Sequence, residues 1–153
     1  MNDTEPLVFS SVLDVHFRSD LEDLLFFNPN QGQYASAITR AVEQFGSPQI
    51  VMRDGSLRIL MQSNVQTLYV LIDSQAATRL VGVVIYTIEP TDTINIIHLA
   101  INSEYSAAGK KAHRMVVLAA INELRQIGQS IKGVAWVKLS YGDDLGGKLR
   151  IRK

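Results

Sequence analysis

Residues 79–141 read RLVGVVIYTIEPTDTINIIHLAINSEYSAAGKKAHRMVVLAAINELRQIGQSIKGVAWVKLSY. Two runs in it, Leu80 to Glu89 and Ile94 to Asn102, are apolar at nearly every position, with only the short turn Pro90 to Thr93 between them. Runs of this kind read as strands buried on both faces, in the centre of a sheet. Gly82, inside the first, marks close packing or a close backbone approach. A small-residue loop follows, Ser106-Ala107-Ala108-Gly109-Lys110-Lys111, and then the period changes. Val116, Val117, Ala120, Ile121, Leu124 and Ile127 fall on one stripe of a helix, while Lys111, Arg114, Asn122, Arg125 and Gln129 fall mostly opposite. Gly128 reads as the helix stop. Val134 to Tyr141 is a further strand. Strand, long helix, strand predicts a parallel pair between Ile94–Asn102 and Val134–Tyr141, crossed over by the helix Lys110–Gly128 in the right-handed sense.

Upstream, Ser10 to Phe17 reads as a first strand. Ser19-Asp20-Leu21-Glu22 has the spacing of a capping box, opening a short helix that runs to about Phe27 and stops at Asn28-Pro29. Tyr34 to Phe45 carries Ala37, Ile38, Ala41, Val42 and Phe45 at helical spacing. Gly46 is its C-cap, and Pro48 blocks continuation. From Gln49 the period is two. Ile50 to Arg53 and Leu57 to Gln62 flank Asp54-Gly55, a favoured hairpin turn. Leu68 to Ile72 is another strand.

The chain has 153 residues, 46% of them hydrophobic and 20% charged. That is ordinary globular composition, long enough to bury a core. One domain spanning 1–153 is the reading, with residues 1–9 left open as a flexible start. Formal net charge is zero, so no global basic field points to nucleic acid. There is no cysteine, which excludes disulfides and thiolate chemistry. The start, Met1-Asn2-Asp3-Thr4-Glu5-Pro6, lacks the basic and apolar regions of a secretory signal, and no apolar run is long enough to span a bilayer. The expectation is a cytoplasmic protein without a membrane partner.

The order of elements resembles the GNAT acetyltransferase superfamily over roughly Leu68 to Tyr141. Leu80-Val81-Gly82-Val83-Val84 looks like that family's third strand. Ile97-His98-Leu99-Ala100-Ile101-Asn102-Ser103-Glu104-Tyr105 looks like its fourth strand and exit. The fold class implied is α/β in the mixed α+β sense, a mostly antiparallel twisted sheet flanked by helices. The activity implied is acetyl-CoA-dependent N-acetylation of a small-molecule or peptide amine. Backbone groups of Leu99, Ala100 and Ile101 would hold the pantetheine arm, between splayed fourth and fifth strands. The loop Ala107, Ala108, Gly109, Lys110, Lys111 and Ala112 would take the pyrophosphate. In that loop Ser106 stands where the family has Gln or Arg, and Lys111 where it has a second small residue. Only Gly142 to Lys153 follow the fifth strand, where the family usually has a further helix and two strands.

The candidate catalytic residues are Tyr141, His98 and Glu104. Tyr141 is either a substitute general acid or a half-buried strand tyrosine. His98 is either a base titrating near neutrality or a core histidine with a backbone partner. Glu104 could deprotonate an amine directly or through water; it sits, like Glu89, at a strand end. Lys110, Lys111, His113 and Arg114 put cations in the first helical turn, where they oppose the helix dipole, so they are either solvated or set against an anion. His16, His98 and His113 have no metal-ligand spacing, and no metal is expected. The alternative to an enzyme is a GNAT-fold module that has lost catalysis and serves binding or assembly. The tail Lys148-Leu149-Arg150-Ile151-Arg152-Lys153 has strand alternation. It either covers the apolar edge of Val134–Tyr141 in its own chain or pairs with a second copy in a homodimer.

Overall fold

A computed structural model describes residues 7–26, 42–43, 46–62, 64–73, 77–88, 92–102, 110–139 and 147–151. In chain order the elements are β1 (Leu7–Ser10), β2 (Leu13–Asp14), a 3-10 turn (Val15–Phe17), α1 (Arg18–Phe26), β3 (Gln49–Arg53) and β4 (Ser56–Leu60). There follow β5 (Gln66–Asp73), β6 (Thr78–Ile88), β7 (Thr93–Ile101), α2 (Lys110–Gln129), β8 (Trp136–Leu139) and β9 (Gly147–Arg150). The class is mixed α/β. A six-stranded sheet has the order β1-β5-β6-β7-β8-β9, and a separate three-stranded sheet the order β2-β4-β3. All neighbours are antiparallel except β7 and β8, which run parallel. The parallel pair lies where the sequence predicts it, joined through α2.

The predicted first strand, Ser10 to Phe17, is broken in two places by short polar side chains. Ser10 Oγ accepts from the Val12 N–H (3.0 Å) and donates to the Val12 carbonyl (2.7 Å), turning the chain after β1. Asp14 accepts from the His16 N–H at 3.0 Å and caps the 3-10 turn. Such local bonds offer the backbone an alternative to the sheet ladder. β1 therefore joins the large sheet and β2 the small one. Leu7, Val8 and Phe9 belong to β1. Ser19 lies inside α1 rather than capping it, because the 3-10 turn feeds directly into the helix.

Of the helix read over Tyr34–Phe45, Val42 and Glu43 are described and are helical, and the rest lies outside the described residues. Gly46 caps it. Its φ is +83°, in the left-handed region, and its N–H reaches the Val42 carbonyl at 2.9 Å. The Asp54-Gly55 hairpin forms as read, with φ of 54° and 79°, both positive as a type I′ turn requires.

Two apolar layers sandwich the large sheet. On one face α2 sets Val116, Val117, Ala120, Ile121 and Leu124 against Leu68, Val70, Val84, Ile94, Ile96, Leu99, Ile101, Val137 and Ile151. On the other, Leu21, Leu24 and Leu25 of α1, with Leu13, Leu57 and Ile59 of the small sheet, meet Tyr69, Leu71, Leu80, Val83, Ile85, Ile97 and Ala100. Gly128 is not the stop of α2, which runs on through Gln129. A Cβ at Gly128 would lie 2.4 Å from Ile151 Cδ1 and 3.3 Å from Ile94 Cδ1. The glycine is there so that the helix can rest on β7 and the residue that follows β9.

The tail takes the first of its two courses. β9 pairs with β8 in the same chain, from Trp136↔Arg150 to Leu139↔Gly147, and Ile151 is buried beyond it. The β8 edge is thereby covered without a second copy.

Candidate functional site

β7 is buried at all nine positions, yet three of them are polar. Ile94 and Ile96 pack under α2, so period-two alternation turns Thr93 and Asn95 to the α1 face. A bulge then intervenes. Ile85 pairs with His98 and Tyr86 with Ile96, leaving Ile97 as an extra residue on β7. The bulge resets the alternation, so that Ile97 and then Ala100 join the α1-side cluster while Leu99 and Ile101 return to the α2 side. His98, opposite Ile85 of the α1-side cluster, lies on that side too. Bulges re-aim side chains and are over-represented beside active sites.

The α1 face thus carries a buried polar row. Thr87 pairs with Asn95, and Asn95 with Lys138. Thr87, Thr93, Asn95 and His98 are the buried polar residues among those described. Thr93 Oγ1 donates to Asp92 Oδ1 at 2.8 Å. The Asp92 carbonyl accepts from the Ala135 N–H (2.8 Å) and the Trp136 N–H (3.2 Å), fastening the starts of β7 and β8 together. The described parallel ladder runs from Thr93↔Trp136 to Ile96↔Leu139, and β7 itself continues to Ile101.

His98 is 5% exposed, and burial pushes its imidazole down to about 4. It is engaged by a contact elsewhere in the residue, while its Nε2 atom is buried with no hydrogen-bond partner. At neutral pH the ring is therefore uncharged. It is also a weaker base than free imidazole, since a catalytic base works best with a pKa near the working pH. Burial likewise raises Tyr69, beneath the α1-side cluster, to about 12.

Leu99, Ala100 and Ile101 fall on β7 as read, with side chains packed into the two cores. Their side chains are committed to packing, and their backbones pair with Val84, Val83 and Gly82 of β6. Lys110, Lys111 and Ala112 fall at the start of α2 as described. Glu104, Ala107, Ala108, Gly109 and Tyr141 lie outside the described residues. The structure adds Thr87, Thr93, Asn95 and Lys138. Their signal in the sequence is that they interrupt apolar runs, but alternation alone could not place them on one face because the bulge at Ile97 shifts the phase.

Elsewhere His16 Nδ1 lies 2.6 Å from Asp14 Oδ1 at the surface, and its ring sits tilted against Phe17, centroids 4.0 Å apart. Its backbone and side-chain bonds to His16 hold the Asp14 carboxyl below its usual range. Among the described residues no three His, Cys, Asp or Glu side chains cluster as metal ligands. No described helix is long and apolar enough to cross a membrane. An open groove of about 240 Å³ is lined by Ile59, Leu60, Met61, Gln62, Asn64 and Val65, none of them acid or base. No family model matches the chain, and no curated protein or solved structure matches it.

Proposed function

We propose that this chain is an acetyl-CoA-dependent N-acetyltransferase of GNAT type, acting on an amine. The observation that carries the reading is the β7–α2–β8 unit: a single parallel pair within an otherwise antiparallel sheet, with a bulge midway along its first strand. The carboxyl end of β7 leads towards the N-terminal end of α2, where unpaired N–H groups and the helix dipole favour an anion. In this reading the diphosphate of acetyl-CoA lies at that helix start, near Lys110 and Lys111. The backbone of Leu99–Ile101 lines the path of the pantetheine arm.

The cofactor supplies an activated acyl group as a thioester. The amine nitrogen attacks the carbonyl carbon, the new C–N bond forms, the C–S bond breaks, and the sulfur leaves as thiolate. The amine proton passes to water or to the neutral ring of His98. Because His98 is a weak base, orientation of the two reactants supplies most of the rate. A homodimer is not required to cover β8, and this reading does not use one.

Thermal unfolding with and without acetyl-CoA tests the proposal, since a ligand that binds only the native state raises its stability by mass action. A rise in Tm that disappears when Lys110 and Lys111 are both replaced by Glu is the expected result. No rise in the parent protein would favour the catalytically inactive module.

A further inference from the structure

β3 is an outer strand of the small sheet, whose order is β2-β4-β3. Its ladder with β4 runs without a shift from Arg53↔Ser56, beside the turn, to Gln49↔Leu60. Asp54 and Gly55 both have positive φ. In a two-residue turn of this kind the flanking residues, Arg53 and Ser56, form a hydrogen-bonded pair. Bonded and non-bonded pairs then alternate along an antiparallel ladder. Val51↔Arg58 and Gln49↔Leu60 are therefore bonded, and Met52↔Leu57 and Ile50↔Ile59 are not. The N–H and C=O groups of Ile50 and Met52 point away from β4, out of the sheet edge. Among the described residues, neither of the two makes a hydrogen bond on that side.

Edge strands are usually guarded by charge, proline or brevity. In the large sheet, β9 carries Lys148 and Arg150, and β1 ends after four residues at the Ser10 turn. Between Pro48 and Arg53, β3 has no such guard, since Gln49, Ile50, Val51 and Met52 are all uncharged. Met52 is 64% exposed, more than any other large hydrophobic residue among those described. Ile50 shares its face of the strand and packs against the α1-side cluster.

We infer that β3 pairs antiparallel with β3 of a second copy of this chain, about a two-fold axis at Val51, adding strand to strand across the small sheets. One register lets both outward-facing residues of both copies bond. It sets Ile50 opposite Met52 of the second copy, Met52 opposite its Ile50, Val51 opposite its Val51, and Gln49 opposite its Arg53. The two Ile50–Met52 pairs each exchange both N–H···O bonds. A shift of two residues one way would set Met52 against Pro48, which has no N–H to give. A shift the other way would set Ile50 against Asp54, whose φ of 54° takes it out of the strand. In the favoured register no like charges face each other, and the exposed Met52 gains the Ile50 side chain of the second copy as a neighbour. The contact of five residues a side is small, so the dimer is weak and reversible. An extended peptide would use the same backbone bonds, but the self-complementary register selects a second copy. The pairing is independent of any acyl transfer.

Sedimentation velocity of the full chain, over a concentration series reaching high micromolar, should show a monomer–dimer equilibrium. Amide exchange by NMR should slow at Ile50 and Met52 as concentration rises, and stay unchanged at Val51, whose N–H is already bonded within the chain. Met52→Lys places a charge in the contact and should raise the dissociation constant by roughly tenfold or more. Because Met52 is exposed, the thermal midpoint of the monomer should hardly move. Gln49→Arg sets two arginines opposite each other and should weaken the dimer, and adding Arg53→Glu should restore it. A chain that stays monomeric over the whole series would overturn the inference. So would a dimer indifferent to Met52→Lys and Gln49→Arg, or one whose Ile50 and Met52 amides exchange at the same rate at every concentration. A monomer in which those two amides are protected only on adding a blocked peptide of residues 49–53 would assign the edge to a peptide ligand and overturn the second copy.

Discussion

The two faces of the large sheet are built from the same strands and differ in what they bury. Under α2 the clustered residues are hydrophobic, and a Cβ at Gly128 would crowd Ile151 and Ile94. Under α1 the layer is apolar over β5 and β6 but changes character at β7. There Thr93, Asn95 and His98 are buried beside Thr87, and Lys138 continues the row. Burying polar groups costs stability unless each finds a partner, so this side of the sheet is the more expensive one to build. The α2 face is hydrophobic core, and the α1 face of β7 buries polar groups among its apolar ones.

Substitutions at neighbouring positions of β7 should separate these roles. Ile96→Ala, on the α2 face, removes a side chain that is 1% exposed, and should lower the unfolding free energy by about 2–5 kcal/mol in denaturant titration. His98→Leu, on the α1 face, should cost less than about 2 kcal/mol at pH 7 while lowering any acyl transfer. Equal losses from the two would mean that both faces are simply core.

The second expectation concerns acid. His98 is neutral in the fold with its pKa pushed down to about 4, against 6.5 for the unperturbed ring. Between those values the unfolded chain binds a proton that the folded chain refuses. Stability is therefore fully present above about pH 6.5 and falls as pH drops towards about 4, by on the order of 3 kcal/mol. The carboxylates add their own acid lability, so the informative quantity is the difference between parent and His98→Leu. The variant should lose stability less steeply across that window. Parallel pH profiles would show that His98 is not the group responsible.

A smaller effect is expected from Gly128→Ala. Crowding against the end of Ile151 costs about 1–3 kcal/mol, and the gain in helix propensity returns about 1 kcal/mol. The net is a loss below about 2 kcal/mol, which Ile151→Val should partly relieve by shortening the side chain in the way. The smallest belongs to a site on neither face. A Cβ at Gly55 meets nothing within 4 Å, so Gly55→Ala costs only the strain of its positive φ, about 1 kcal/mol. A larger loss there would mean that the Asp54–Gly55 turn bears on the main core.

Much of the architecture is readable without coordinates. The apolar runs of β6 and β7, the 3.6-residue stripe of α2 and the Asp54-Gly55 turn are local patterns. Each is set by the period of the backbone and by which residues tolerate a positive φ. Even the choice of β9 to cover β8 has its trace in the alternation of Leu149 and Ile151. The site was less legible. Local polar bonds at Ser10 and Asp14 broke a strand that apolar periodicity joined, because side chain and ladder compete for the same backbone groups. The face of His98 depended on a one-residue bulge at Ile97, and a shift of one residue exchanges the faces of every residue after it. The apposition of Lys138 with Asn95 on one side and Lys148 on the other required three strands distant in sequence to settle in register. The sequence by itself determined most of the strands and the long helix, since those follow from short-range periodicity. Only the tertiary structure decided which polar residues meet, since that depends on register and sheet order, which no local pattern encodes.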